Sequence, residues 1–187
     1  MEQNDRLEML GISGATGIVG RLYDPYSELV VGHVGKKVAD NRPLKSLYIR
    51  HRSEERYRLF TPFSETLSYE DAALSPTGPF IFVNIFEALV EDGKFGGGYD
   101  WHSLQKIDLP SGKIISELKD GELEPRFGHR SPWVADIVGV DKDGETIFVS
   151  LAIPQEKKEA MQRYCLAKLH PAQRQYEVIT ELSGGYL

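Results

Sequence analysis

The sequence is short of the residues that staple or anchor a small protein. It has one cysteine, Cys165, among 187 residues, so no internal disulfide can form. No apolar run approaches the roughly 20 residues that a membrane-crossing helix needs, and the most apolar stretch, 80–90, is interrupted by Asn84 and Glu87. The first turns of the chain lack a basic segment followed by an apolar core and a small-residue cleavage site, so a cytoplasmic location is the expectation. Positive charge is in the minority, with a net charge of −6. Nucleic-acid binding draws on counterion release by a basic surface, which argues against that class of partner. Two local basic groups, Lys36, Lys37, Arg42 and Lys45, and His51, Arg52, Arg56 and Arg58, read as solvated faces. Helix formers are scarce too: only 154–163 is rich in them, and it is too short to be more than a decorated loop.

What remains is ordinary globular composition, 41% hydrophobic and 27% charged. A chain of this length buries roughly 70% of its surface on folding, so neither metal nor disulfide is needed for a core. Pro and Gly are spread along the chain at turn positions, without a low-complexity linker. A single domain over 1–187 is expected.

A repeat organises it. Asp24-Pro25-Tyr26-Ser27, Ser75-Pro76-Thr77-Gly78 and Asp141-Lys142-Asp143-Gly144 each lead into a β-branched and aromatic run. Asp or Ser opens each turn by bonding nearby backbone, Pro sets φ in two of them, and Gly at the fourth position in two is expected to take positive φ. A second turn recurs in phase, at Arg52-Ser53-Glu54-Glu55, Pro110-Ser111-Gly112-Lys113 and Pro171-Ala172-Gln173-Arg174, each between strand-like runs. The pattern predicts strand, tight turn, strand, long loop, strand, tight turn, strand, three times over, in units of about 14–60, 66–118 and 132–182.

The unit resembles a blade of TolB-like β-propellers. There a Ser-Pro-Asp-Gly turn joins the inner two strands and an Asp-x-x-Ser/Thr-Gly-Lys turn the outer two. The middle copy carries the resemblance best, with Ser75-Pro76-Thr77-Gly78 and Asp108-Leu109-Pro110-Ser111-Gly112-Lys113. The resemblance implies an all-β fold of about three four-stranded antiparallel blades. It does not imply an activity, since the family includes binding modules, peptidase-associated domains and sugar-active enzymes. A propeller closes with about four to eight blades. Three blades therefore imply a homodimer forming a six-bladed ring, a fourth blade drawn from 6–13 and the C-terminal tail, or an open fragment with exposed edges; the dimer is the favoured expectation.

A meander sorts its connections by end. The tight turns share one end of each unit, and the long loops expected at 32–45, 61–68, 90–100, 119–132 and 154–162 share the other, where binding residues concentrate. The candidate binding face is therefore Tyr99, Trp101, His102, Arg126, His129 and Trp133, with Tyr69, Asp71 and Asp136 at the starts of inner strands, which line a propeller's channel. Gly96-Gly97-Gly98 reads as a flexible loop, and its flanking Phe95, Tyr99 and Trp101 as a contact surface.

Individual motifs point less far. Gly14-Ala15-Thr16-Gly17-Ile18-Val19-Gly20 resembles the pyrophosphate-binding turn of extended short-chain dehydrogenases, which implies NAD(P). That turn needs a following helix, and Tyr23, Pro25, Val30, Val31 and Gly32 deny one, so a small-residue inner strand is expected and no cofactor. His51 and His170 fall on different units and cannot share a metal; His33, His102 and His129 lie in or beside the long loops with Asp100, Glu124, Arg126 and Arg130 nearby in sequence, a metal or acid/base set only if they converge, and structural histidines are the expectation. Cys165 reads as a buried small hydrophobe. No Gly-x-Ser-x-Gly nucleophile elbow occurs. Without a complete catalytic motif, the expected function is a non-enzymatic binding or scaffold module using the long-loop face, with a protein or small polar ligand as partner. The alternatives are an enzyme acting on a carbohydrate or other polar ligand at the channel, through His102, His129, Asp71 and Asp136, and a nicotinamide-dependent reductase.

Overall fold

A computed structural model describes residues 15–23, 27–38, 42–51, 58–60, 66–91, 94–125, 130–154 and 163–182. The protein is all-β, and no α-helix occurs among the described residues. Twelve strands follow one another among the described residues: β1 (Ala15–Tyr23), β2 (Ser27–Val38), β3 (Arg42–His51), β4 (Arg58–Leu59), β5 (Leu67–Leu74), β6 (Phe80–Glu91), β7 (Lys94–Asp108), β8 (Ile114–Lys119), β9 (Trp133–Val140), β10 (Ile147–Ile153), β11 (Arg163–His170) and β12 (Gln175–Leu182). They form three four-stranded sheets, in the orders β1-β2-β3-β4, β5-β6-β7-β8 and β12-β11-β10-β9. Every sheet is thus a meander of consecutive strands, as the repeating turn pattern predicts.

The turns form by the chemistry the sequence spells out. Ser75 N–H donates to the Phe80 carbonyl at 2.9 Å and Asp141 N–H to the Thr146 carbonyl at 2.8 Å, closing the inner hairpins of the second and third sheets alike. In the third, Asp143 accepts from the backbone of Glu145 and Thr146 and from the Thr146 hydroxyl, which holds its carboxyl down at about 2. The outer hairpins turn at Gly112, with φ +69°, and at Arg174, with φ +56°. The turns at 24–26 and 52–57 lie outside the described residues.

Two sequence expectations are corrected here. Of the two glycines expected at positive φ, Gly144 takes it, at +72°, whereas Gly78 does not. Gly78 is needed for space: a Cβ there would stand 2.8 Å from the Phe80 ring. The stretches 32–45 and 90–100 are not long loops. β2 and β3 continue to Val38 and from Arg42, and β6 and β7 to Glu91 and from Lys94, so the connections shrink to 39–41 and 92–93. Gly96, Gly97 and Gly98 belong to strand β7 rather than a flexible loop. Glycine weakens a strand but need not end one, and β7 sits between β6 and β8 in its sheet.

The chain divides into two compact units, Met1–Glu70 with Phe86–Asp100, and Asp71–Ile85 with Trp101–Leu187. In the first, Leu47, Tyr48, Tyr69 and Ala88 are buried, and the Ala88 N–H donates to the Thr66 carbonyl at 2.8 Å. In the second, the core comprises Ile81, Phe82, Val83 and Ile85 of β6, Leu104 and Leu118, and Val134, Ile147, Val149, Leu151, Cys165, Ala167 and Leu169. β10 and the 81–85 stretch of β6 belong to second strands and are covered on both faces, which is why they run apolar without alternation. Burial, the larger cause, and the nearby Glu181 push the Cys165 thiol up to about 11, so it packs as a hydrophobe.

β-bulges punctuate the edges of the sheets. Pairing of β9 with β10 skips Ala135 and Val138, that of β7 with β8 skips Ile115, and that of β11 with β12 skips Ile179. Three of these extra residues, Ile115, Val138 and Ile179, are exposed apolar side chains. A bulge places two residues against one and re-aims a side chain, which accounts for apolar groups facing water in otherwise alternating strands. Among the described residues no helix is long and apolar enough to cross a membrane.

Candidate functional site

Strand β9 lies at the edge of the third sheet, and its bulges at Ala135 and Val138 take backbone groups out of the ladder. A buried unpaired backbone group costs about as much as a lost hydrogen bond. Side chains of the second sheet supply the missing partners. Asn84, fully buried on β6, donates through Nδ2 to the carbonyls of Val134 at 3.1 Å and Ala135 at 3.2 Å. Its Oδ1 accepts from the Trp101 indole at 2.8 Å. Asp71 accepts with Oδ1 from the Ala72 N–H at 2.9 Å, and with Oδ2 from the Ile137 N–H.

Further along, Ser75 and Thr77 meet the backbone of Gly144 and Asp143, each at 3.5 Å. The fit leaves no room for a side chain at Gly144, where a Cβ would stand 1.8 Å from Thr77 Oγ1. Lys106, buried on β7, lies over the Phe80 ring at 4.6 Å and pairs with Glu145 at 2.6 Å. Its aliphatic stem covers apolar surface while the ammonium reaches a carboxylate.

Of the two aspartates expected at inner-strand starts, Asp71 reaches the backbone of β9 beside Asp136. The Asp71 carboxylate sits on the peptide that joins Asp136 to Ile137. The two aspartates differ in circumstance. Asp71 is occupied with backbone donors, whereas Asp136 Oδ2 is buried and makes no hydrogen bond among the described residues. Burial pushes the Asp136 carboxyl above its ordinary range. Directly across the strand pair stands Ser150, fully buried, its hydroxyl also without a hydrogen bond among the described residues. Facing residues of an antiparallel pair share a sheet face, so the two orphaned groups point the same way.

The remaining candidates are scattered. Tyr69 is buried on β5. Trp101 is 5% exposed with its indole N–H committed to Asn84, so it belongs to the core and not to an open contact surface. His102 and Tyr99 are half-buried on β7, and Trp133 is half-buried on β9 opposite Ala152. Arg126 and His129 lie outside the described residues, as does 155–162. His170 has Nδ1 3.2 Å from the Thr146 hydroxyl and Asp108 caps the turn at Ser111, both local structural roles. Of the dinucleotide-like segment, 15–20 lies within the extended strand β1, paired with β2 over Gly17, Ile18 and Gly20.

Sequence reasoning passed over Asn84, Lys106 and Ser150. Their signal was a polar residue inside an apolar strand run, which marks a buried group with a dedicated partner.

No known protein family's sequence profile matches the chain, and comparison with curated proteins finds no match.

Proposed function

We propose that the three sheets are propeller-type blades and that the chain is a non-enzymatic binding module whose contact surface is the arm formed by β6 and β7. The repeated consecutive four-strand order supports the blade reading. The observation that carries the binding reading is Leu89, 41% exposed on β6 and lying 3.2 Å from the place a Cβ on Gly98 would occupy. Half-buried Tyr99 follows Gly98 on β7, and exposed Glu87 and Asp100 lie close by in sequence. An apolar and aromatic centre within a polar rim is the anatomy of a protein contact patch. The acidic and aromatic side chains best suited to chemistry are instead engaged in structure: Asp71 holds Ile137 and Trp101 holds Asn84. That favours binding over catalysis.

The test is to immobilise the full chain and the double variant Leu89→Asp, Tyr99→Ala, and compare the proteins each retains. A partner kept by the parent and released by the variant, with unchanged thermal unfolding of the two proteins, supports the reading. Equal retention removes the arm from the account.

A further inference from the structure

Lys106 and Lys168 hold the same place in successive sheets. Each stands two residues before the end of its strand, β7 or β11, and lies over a phenylalanine two residues past the closure of the inner hairpin. Lys106 is 5.6 Å from the Phe82 ring and Lys168 is 5.8 Å from the Phe148 ring. Leu104 and Leu166, two residues before each lysine, match as well.

The two places differ in cover. In the second sheet Phe82, Leu104 and Lys106 are buried, and the third sheet lies against them: Lys106 pairs with Glu145 at 2.6 Å, and Asn84 holds the Val134 and Ala135 carbonyls. In the third sheet Phe148, Leu166 and Lys168 are half-buried, and Lys168 makes no ion pair among the described residues. Trp133 and Tyr164 both face Ala152 across the ladder and are half-buried too. Facing and alternate residues share a sheet face, so aromatic and aliphatic groups beside one lysine form a continuous, partly open surface.

What covers the second sheet has a particular register. On it Val138 is the extra residue of β9, Gly139 faces Phe148, and Glu145 stands three residues before Phe148. The first sheet repeats this: Val19 is extra, Gly20 faces Val31, and three residues before Val31 the sequence has Glu28. The second sheet does not, since the matching residue three before Phe82 is Pro79.

We infer that the partly open face of the third sheet receives the first sheet of a second copy of this chain, in the register that brings position 28 of that copy to Lys168. Charge selects this occupant, because the first sheet has an acidic residue where Glu145 meets Lys106. No buried group has to open, since Phe148, Leu166 and Lys168 all keep solvent-exposed surface. Two copies meet at two identical junctions and bring six blades, within the about four to eight that close a ring. The inference rests on the blade reading proposed above.

Charge reversal tests it, by sedimentation of the full chain across the micromolar range. The parent protein is expected to be a dimer. Lys168→Glu alone and Glu28→Lys alone each set like charges together at both junctions, and each should weaken the dimer about ten-fold or more. An equimolar mixture of the two single variants should recover parent-like association, because both junctions of the mixed dimer then pair opposite charges. A purely internal role for either residue predicts no recovery, since each chain keeps its own defect.

A monomeric parent, or single variants that mixing does not rescue, overturns the inference. Small-angle scattering separates that failure from failure of the blade reading. A dimer indifferent to both reversals but shaped as a closed disc overturns the junction and leaves the blades standing, whereas an indifferent, elongated dimer overturns both. Neither result bears on the Leu89 arm, which is tested separately.

Discussion

Two places in the molecule start from the same position in the repeat and end differently. On the second sheet, Asp71 and Asn84 are saturated with hydrogen bonds to β9 and to Trp101. On the third, Oδ2 of half-buried Asp136 and the hydroxyl of buried Ser150 bond to nothing among the described residues. A polar group inside a sheet protein stabilises when its partner is present and destabilises when it is absent, and the second effect is the larger. The same substitution should therefore have opposite consequences in the two sheets.

The largest effect is expected at Asn84. Asn84→Leu keeps the volume but strands the Val134 and Ala135 carbonyls and the Trp101 indole, and chemical denaturation should show a loss of about 3 kcal/mol. If the loss matches that of an ordinary surface change, the saturated half of the comparison fails. Asp71→Ala should cost less, about 2 kcal/mol, because it strands mainly the Ile137 N–H of a half-buried site.

At Asp136 the sign reverses. Its carboxyl is raised in the folded chain, so the folded state holds the proton more tightly than the unfolded one. The stabilisation from that proton is complete below the ordinary value of 3.8 and is lost as pH rises through the raised folded value. Asp136→Asn should therefore stabilise the chain at neutral pH, with a gain that vanishes below pH 3.8, as parallel urea titrations at the two pH values would show. A loss at neutral pH would mean that Asp136 has a partner after all. The smallest effect belongs to the exposed bulge residue: Val138→Thr should change stability by no more than about 0.5 kcal/mol, and a larger loss would show that Val138 is covered.

Much of the architecture was legible in the chain because turn chemistry is local. Asp, Ser, Pro and Gly at fixed offsets bond and restrict their own neighbours, so the hairpins that close at Ser75 and Asp141 announce themselves. What misled was glycine. Gly96, Gly97 and Gly98 read as a loop, yet they lie within the long strand β7. Trp101 read as a surface aromatic because no local rule tells a buried indole from an exposed one; its burial follows from Asn84, seventeen residues earlier.

By itself, the sequence determined the all-β class, the order of strands within each sheet and the hairpins that close at Ser75 and Asp141, because these depend on contacts between near neighbours. Tertiary structure alone decided which polar residues are satisfied. Whether Asn84 is a keystone and Ser150 an orphan depends on which strand edge lies opposite each, and that edge comes from a distant part of the chain.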